Sequence, residues 1–494
     1  MLNSGLFKLI SGTDIRGVAV GSVEQINLTD DAIGRIACAF VKWLSDKSGI
    51  ISPVIAVGND SRISAPRIFN AVKEALVSSG CSVVYTGLSS TPSMFMILKN
   101  RDIDASVMIT ASHMPADRNG LKFFTKRGGI DASDLKEISA LAEKGERLHG
   151  EGSCREYSFM DEYSDMLVKK VEAECGKLPL FGKKIIVDAG NGAGGFFAEK
   201  VLKPLGADTE GSQFLEPDGS FPNHIPNPED KEAIQSLSRA VIKNKADLGI
   251  IFDTDVDRAA LVDYDGTEIN RNRLIALVSA ILFENKCGVI VTDSVTCDSL
   301  TGFIEGLGGK HLRFKRGYKN VIDKCIELNG KGVYSPLAIE TSGHAAFKEN
   351  YYLDDGAYLV VKLLTSFAKQ AKNGKSLTSL IQDFKEPKDE AEIRLTFNGN
   401  SKDFKAEGEK VINDIKNLAK TEAGIELAPD NYEGVKMRFA EGSVIVRMSV
   451  HDPVMPINAE SDQEDGAKKV LKKLYGFLKD YSFLNTENLL NKID

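Results

Sequence analysis

The segment Asp253-Thr-Asp255-Val-Asp257-Arg258 sets three carboxylates at alternate positions directly after the apolar run Leu-Gly-Ile-Ile-Phe. In an extended segment alternate residues share a face. Three carboxylates on one face repel one another unless a cation sits between them. Oxygen-only donors suit Mg²⁺, which usually keeps positions open for phosphate oxygens. An EF-hand loop would need Gly at its sixth position and Glu at its twelfth. Arg258 and Tyr264 stand there instead, which excludes that calcium chemistry. The purely structural alternative is a solvated acidic turn. The place of the motif, at the carboxyl end of a buried strand where α/β folds put ligands, favours the metal.

Other segments offer complementary chemistry. Thr110-Ala-Ser112-His113-Met-Pro115 follows the apolar run Ala-Ser-Val-Met-Ile. Ser112 there is either a nucleophile or phosphate carrier, or a capping residue. His113 is adjacent in sequence and need not face the hydroxyl as a triad base would. Lys122, in Asn119-Gly-Leu-Lys122, is an acid, a base, a phosphate ligand or a surface charge. Glu340-Thr-Ser342-Gly-His344 follows the short apolar run Val333–Ile339. Its Glu340 and Ser342 alternate and can hold sugar hydroxyls, with His344 as a proton carrier. In Arg447-Met-Ser449-Val-His451-Asp-Pro453, Arg447 offers a bidentate fork for phosphate, and Ser449 with backbone N–H groups can complete an anion nest. An edge-strand Arg followed by a Pro turn is the alternative. Arg16 lies among small residues in Ser11-Gly-Thr-Asp-Ile-Arg16-Gly17. Arg316 and Lys319 belong to the basic stretch Arg313–Lys319, either a phosphate attractor or a solvated face. Three of the six His residues, 113, 344 and 451, fall in these segments.

Two local rivals compete. Gly190-Asn-Gly192-Ala-Gly194-Gly195, between a strand and a helix and with Glu210 about 20 residues on, matches a dinucleotide fingerprint. Asp253-Thr-Asp255-Val256 after a strand looks like the nucleophile motif of haloacid-dehalogenase-type phosphatases. A Walker A loop is absent, because Lys369 stands where Gly374-Lys-Ser would need its earlier Gly.

The elements that must carry these residues repeat. Pro53–Val57 is a β-branched run, followed by a turn at Gly58–Arg62, a helical stretch ending at Gly80 and a second strand. Lys184–Asp188 begins the same pattern, with a turn at Ala189–Ala193 and a helix over 195–206. Gly288–Asp293 begins it again, with a helix ending at Gly308 and a strand over 310–314. Continuous apolar strands alternating with helices that stop at Gly imply βαβ units around buried sheets. The spacing is that of domains, not of solenoid repeats. Two alternating runs around Glu441-Gly442 predict a β-hairpin, and a charged helix follows over 462–481. The expected fold is three similar tandem α/β domains with mixed sheets plus a C-terminal α+β domain, around a central cleft. The expected boundaries are 1–160, 161–270, 271–388 and 389–494.

Composition bounds the function. The 494 residues are 42% hydrophobic and 27% charged, ordinary for a globular chain. With 62 Lys+Arg against 70 Asp+Glu, the net charge of −8 argues against general nucleic-acid binding. The best apolar run, Ile275–Phe283, is far short of the roughly 20 residues a membrane span needs, and the N-terminus is a poor signal peptide. Seven dispersed Cys without a CxxC pair read as reduced thiols, so a cytoplasmic location is expected.

Taken in order, Ser11–Gly17, Thr110–Pro115, Asp253–Arg258, Glu340–His344 and Arg447–Pro453 resemble the motifs of the α-D-phosphohexomutase family, over nearly the whole chain. The resemblance implies four domains around a central cleft and a Mg²⁺-dependent exchange of hexose 1-phosphate and hexose 6-phosphate, for glucose or mannose. It implies that Ser112 is the phosphoserine and completes a Mg²⁺ site with Asp253, Asp255 and Asp257. Arg16, Lys122 and Arg258 would lie near the transferring phosphoryl group, with His113 beside Ser112. Lys122 or His344 would take the hydroxyl proton. Glu340 and Ser342 would clamp the sugar, and Arg447 and Ser449, with Arg316, Lys319 and His451, the distal phosphate. A hexose 1,6-bisphosphate would prime the serine. The implied partner is a small phosphosugar, with no nucleic acid or membrane, on a monomer or homodimer. The chain departs from the family pattern at Met114, where Asn is common, at Ile339, where Gly usually precedes the Glu, and at His451-Asp452, where Thr and Glu are typical. These departures bear on the choice of sugar, and phosphoglucosamine mutase is the alternative. A catalytically silent sugar-phosphate-binding relative is the non-enzyme alternative.

Overall fold

The computed structural model describes residues 5–100, 102–399, 403–429, 431–449 and 453–494. The chain forms two compact units. The first runs to Asn270 and takes in Ser342–Ala346 and Leu353–Leu377. The second comprises Arg271–Thr341, Phe347–Tyr352 and Thr378–Asp494.

Two mixed sheets build the first unit. In the larger, the order is Ile10–Ser11, Asp14–Val18, Arg118–Thr125, Ala105–Ile109, Val54–Asn59, Ser82–Leu88, Ser153–Glu156. Ala105–Ile109 and Val54–Asn59 are parallel neighbours, and every residue of Ala105–Ile109 is buried. A strand covered on both faces reads as a continuous apolar run, so this one carries no period-2 pattern. Helix Asp30–Ser48 covers one face. Thr29 caps it by accepting the Ala32 N–H at 3.2 Å, and it stops at Gly49 with φ 75°. Its Ile33, Ile36 and Phe40 are buried, and the Phe40 ring lies 4.6 Å from that of Phe123 on the sheet. Each such side chain contributes about 1.5–3 kcal/mol of burial.

The second sheet orders Glu268–Ile269, Ala259–Asp263, Leu248–Phe252 and Ile185–Asp188. Phe252 pairs with Ala259 across an antiparallel ladder. The strand pair therefore pins both ends of the intervening loop, residues 253–258.

In the second unit, Lys310–Arg313, Val289–Thr292 and Leu337–Ile339 run parallel. A six-stranded antiparallel sheet follows, in the order Glu426–Leu427, Val435–Phe439, Gly442–Val446, Val454–Ser461, Asp389–Phe397, Leu484–Asn485. Along Asp389–Phe397 burial alternates, with Ala391, Ile393 and Leu395 inside, as a one-sided sheet requires.

Three strand–turn–helix repeats and a distinct C-terminal domain are thus present. The hairpin forms with Phe439 opposite Gly442, so its turn sits at Ala440-Glu441, one residue before the expected place. Gly80, Gly206 and Gly308 all adopt positive φ at the expected stops. The middle repeat differs from expectation: its helix is only a five-residue π-helical turn, Ala198–Leu202. Pro204 has no N–H to continue an α-helical ladder, and the Lys203 N–H reaches back five residues to the Ala198 carbonyl at 3.2 Å.

The glycine-rich turn before it is no dinucleotide cradle. The N–H groups of Asn191, Gly192 and Ala193 bond the carbonyls of Phe214, Ala189 and Thr254 at 2.9, 2.8 and 2.8 Å. A Cβ on Gly192 would lie 2.6 Å from the Thr254 carbonyl oxygen. The glycine is there because the turn presses against the aspartate loop, which removes the physical basis of the fingerprint. Among the described residues, no helix is long and apolar enough to cross a membrane. All seven cysteines are free thiols.

Asp188, at the end of its strand, holds the following long loop in place. It accepts from Gly190 N–H at 2.9 Å and Gln213 Nε2 at 2.6 Å, and His224 Nε2 lies 3.0 Å away. Burial disfavours a charged imidazole, but the hydrogen bond to Asp188 and the Asp188 charge outweigh it and raise the His224 pKa. A pKa raised by folding stabilises the native state fully below the unfolded value of about 6.5, and the contribution is lost as pH rises through the native value. Calorimetric melts of wild type and His224→Gln should therefore show their largest Tm gap below pH about 6.5, closing at higher pH. A gap independent of pH would contradict this.

Candidate active site

The three aspartates converge, but not as an extended strand would bring them together. Residues 253–258 curl back into the hairpin, and Val256 takes φ 66°. A buried β-branched residue at positive φ is strained and needs over-determination by its surroundings. Here the Val256 carbonyl accepts from Gly356 N–H at 3.1 Å, at the start of helix Gly356–Lys372. The Asp255 carbonyl accepts from Thr91 N–H at 2.8 Å, and its Oδ2 from Thr91 Oγ1 at 2.5 Å.

The resulting cluster leaves carboxylate oxygens without a donor. Asp253, Asp255 and Asp257 each offer an oxygen within 4.8 Å of the others, and all three are buried. Burial first, then Asp257 and Asp255, push the Asp253 carboxyl well above the usual carboxylate range. Asp255 Oδ1 and Asp257 Oδ1 are buried without a hydrogen-bond donor. Orphaned hard oxygens in a shared pocket fit a divalent cation with oxygen preference.

Ser112 follows the strand Ala105–Ile109 and takes φ 50°, its N–H bonding Thr110 Oγ1 at 2.8 Å. That turn aims Ser112 Oγ at Asp253 Oδ2, 3.1 Å away. His113 Nδ1 lies 3.4 Å from Ser112 Oγ. The Arg258 guanidinium first, then burial, push the His113 pKa down to about 2, so its imidazole is neutral at ordinary pH.

Cationic side chains crowd the same place. Lys122, on strand Arg118–Thr125, reaches Asp255 Oδ2 at 3.0 Å and Asp257 Oδ2 at 2.5 Å. Burial works against its charge, yet Asp255 and Asp257 raise its pKa well above the usual value. Arg16 pairs across the sheet with Gly120, and its NH1 donates to the Thr110 carbonyl at 3.1 Å while NH2 meets Asp14 at 2.6 Å. Arg258 Nε donates to His344 Nε2 at 2.8 Å, and His344 Nδ1 lies 2.5 Å from Asp354 Oδ2. Burial lowers the His344 pKa, but Asp354 and Asp257 outweigh it and leave it raised. Ser342 is buried at the head of this loop.

The first unit therefore brings together Ser112, His113, Lys122, Arg16, Arg258, His344 and the three aspartates. The second unit holds a separate group. Glu340 is buried, and its Oε1 accepts from Gly317 N–H at 2.6 Å. Arg447 is buried, with Nε lacking a partner and NH1 3.9 Å from Glu433 Oε1. Burial first lowers its pKa, with Glu433 opposing and Arg316 adding to the fall, so the two arginines share one neighbourhood. Lys319 lies on helix Tyr318–Gly330 and pairs with Asp323 at 2.6 Å. Ser449 is half-buried. His451 lies outside the described residues.

Sequence reasoning overlooked several contributors. Glu433 accepts from Arg316 N–H at 3.0 Å and Ser294 Oγ at 2.5 Å. Thr91 anchors the aspartate loop, Asp354 orients His344, and Arg62 donates into the Ser112 loop. Each sits in an ordinary polar turn or at a helix start, where such residues are commonplace. Only the polar pair Asp60–Arg62, directly after the strand Val54–Asn59, carried a signal.

Comparison with known proteins identifies the assembly. The family models described as phosphoglucomutase/phosphomannomutase α/β/α domains I, II and III match residues 8–149, 161–266 and 270–386. A phosphoglucomutase of Neisseria gonorrhoeae is 32% identical over 92% of this chain and 94% of that protein. A phosphomannomutase/phosphoglucomutase of Pseudomonas aeruginosa is 29% identical over 85% of this chain and 86% of that protein. The crystal structure of a phosphoglucomutase/phosphomannomutase family protein from Burkholderia thailandensis covers 95% of this chain and 96% of its own, with TM-score 0.79 and 26% identity. Three family domains in tandem, with the serine and aspartate loops meeting inside the first unit, leave one conclusion: the chain belongs to the phosphoglucomutase/phosphomannomutase family, the α-D-phosphohexomutases.

Proposed function

We propose that this phosphohexomutase is Mg²⁺-dependent and exchanges hexose 1-phosphate with hexose 6-phosphate, for glucose or mannose, by way of a phosphorylated Ser112 and a hexose 1,6-bisphosphate. The observation that carries the reading is the 3.1 Å approach of Ser112 Oγ to the buried Asp253, beside two carboxylates with undonated oxygens. Phosphoryl transfer asks for positioning and charge neutralisation more than for covalent chemistry, and this pocket is built of those.

Asp253, Asp255 and Asp257 would hold Mg²⁺, which when bound neutralises phosphate oxygens as they leave. Ser112 Oγ would accept and return the phosphoryl group. Arg16, Lys122 and Arg258 would supply positive charge around it. His113, kept neutral, would accept or donate a hydrogen bond beside Ser112 without adding charge. Of the two groups expected to take the hydroxyl proton, Lys122 is held protonated by Asp255 and Asp257 and would lend charge instead, which leaves His344 as the acceptor. His344 is oriented by Asp354 on one ring nitrogen and Arg258 on the other, so it would take a proton only when substrate displaces one of these. Glu340 and Ser342 would hold sugar hydroxyls in either orientation of the bisphosphate. Arg447, Ser449, Arg316, Lys319 and His451 would grip the phosphate distant from Ser112. The four-domain division at 1–160, 161–270, 271–388 and 389–494 would bring Ser112 with Arg16 and Lys122 from the first domain, the aspartates with Arg258 from the second, Glu340 and Ser342 with Arg316, Lys319 and His344 from the third, and Arg447, Ser449 and His451 from the fourth. A cytoplasmic setting with a monomeric or dimeric enzyme fits a soluble phosphosugar substrate.

A coupled assay with glucose, mannose and glucosamine 1-phosphates, primed by glucose 1,6-bisphosphate, tests the activity. Turnover of glucose or mannose is expected to exceed that of glucosamine. Intact-mass analysis should show one phosphoryl group on the primed wild type and none on Ser112→Ala, with mutase activity of that variant down at least about 10³-fold. Full activity in Ser112→Ala would refute the phosphoserine. Chelation with EDTA should abolish turnover and added Mg²⁺ should restore it; turnover indifferent to chelation would refute the metal requirement.

A further inference from the structure

The Ser112 loop is held by a residue that none of the motifs contains. Arg62 is 1% exposed, deeper than any other arginine among the described residues of the first unit. Its NH2 donates to the carbonyls of Ser112 at 2.6 Å and Met114 at 2.5 Å. Its NH1 donates to Pro115 at 2.6 Å and Arg118 at 2.9 Å. Its Nε lies 3.3 Å from Asp60 Oδ2. Four of the five N–H donors of a planar guanidinium are thus spent on the backbone of the one loop that presents the serine. An amine has three donors in no fixed plane, so no lysine can reproduce the arrangement.

The strut is braced from the second repeat. The guanidinium carbon sits over the Phe221 ring, 5.2 Å from its centroid. Beside it the backbone at Gly219 touches the turn that carries Arg62: a Cβ there would lie 2.4 Å from Ile63 N and Ser61 O. The Phe221 loop is in turn tied to the end of the second sheet by the His224–Asp188 contact and by Asn223 Nδ2 donating to Asn191 Oδ1 at 2.7 Å. The aspartate loop leaves that same sheet. One chain of contacts therefore joins the sheet that bears Asp253 to the loop that bears Ser112.

Resting on the reading that Ser112 carries the phosphoryl group, we infer that Arg62, capped by Phe221, is a positioning residue for phosphoryl transfer: its four hydrogen bonds to the Ser112–Arg118 carbonyls fix the serine hydroxyl against Asp253. Arg62 touches neither substrate nor the reacting atoms. The strut acts on alignment, where a shift of about 1 Å costs roughly 100-fold in rate, and leaves the binding of the sugar phosphate alone.

The test uses three full-length variants, each checked for a cooperative melt, assayed with glucose 1-phosphate and glucose 1,6-bisphosphate. Asp60→Asn/Arg62→Met removes both buried charges together, so neither is left unpaired. Its kcat should fall about 100-fold with KM for glucose 1-phosphate within threefold of wild type. Phosphorylation of Ser112 by the bisphosphate, followed by intact mass, should slow in parallel. Phe221→Leu keeps the charges and loosens the cap; its kcat should fall about fivefold at unchanged KM, and Phe221→Tyr should restore it. A kcat within threefold of wild type in the double variant, or a KM rise that accounts for the loss, would overturn the inference. Should the double variant not melt cooperatively, the Phe221 pair decides: a kcat loss rescued by Tyr supports the strut, and unchanged kcat in Phe221→Leu overturns it. Ser112→Ala run alongside separates the two readings. If Ser112→Ala keeps activity, the phosphoserine fails; if it is inactive while the Arg62 and Phe221 variants keep kcat, only the strut fails.

Discussion

Three carboxylates buried within ligand distance of one another are the constraint around which the first unit is arranged. Two like charges 4 Å apart cost about 4 kcal/mol at an effective dielectric near 20, and Asp253, Asp255 and Asp257 each hold an oxygen within 4.8 Å of the others. Folding tolerates this because Lys122 is delivered by the neighbouring sheet to Asp255 and Asp257, and because Arg258 leaves the same loop. The remaining imbalance is visible in Asp253, whose carboxyl is held well above the usual range. A site that is electrostatically incomplete in the protein alone is a site prepared for a cation and an anionic substrate.

That arrangement explains features that look unrelated. Val256 is forced into a left-handed conformation so that three side chains of one short loop face inward, and Gly356 and Thr91 hold it there. Ser112 is likewise at positive φ, held by Thr110 and by the buried Arg62. The glycine-rich turn at 190–195 serves the approach of backbone to the aspartate loop rather than a dinucleotide. Strain at both loops is offset by hydrogen bonds from rigid elements behind them, the usual economy of a functional site.

Much of this was legible from the sequence. The βαβ repeats could be read because their strands are buried on both faces and their helices stop at glycine. The aspartate, serine and glutamate loops could be read because chemistry demands unusual residue types at strand ends. What escaped was geometry that leaves no periodic trace. Pro204 turned an expected helix into a single π-turn. The aspartates meet through a curled hairpin rather than through strand alternation. Arg62 and Thr91 lie far along the chain from the loops they support, and Asp354 and Glu433 stand in loops of no distinctive composition. A lone buried polar residue is recognisable only once its partners are in place.

The claim on which the rest depends is that the carboxylate cluster is a divalent-cation site, and its most direct measurement is the thermal stability of the purified protein against Mg²⁺ concentration. A ligand bound only by the native state adds about 2.7 kcal/mol at 100 times its Kd. The wild type should therefore show a Tm that climbs with Mg²⁺, while Asp255→Asn, which keeps the shape and removes a charge, should lose most of that climb. A wild-type Tm that does not move with Mg²⁺, or an Asp255→Asn variant that responds as the wild type does, would contradict the account.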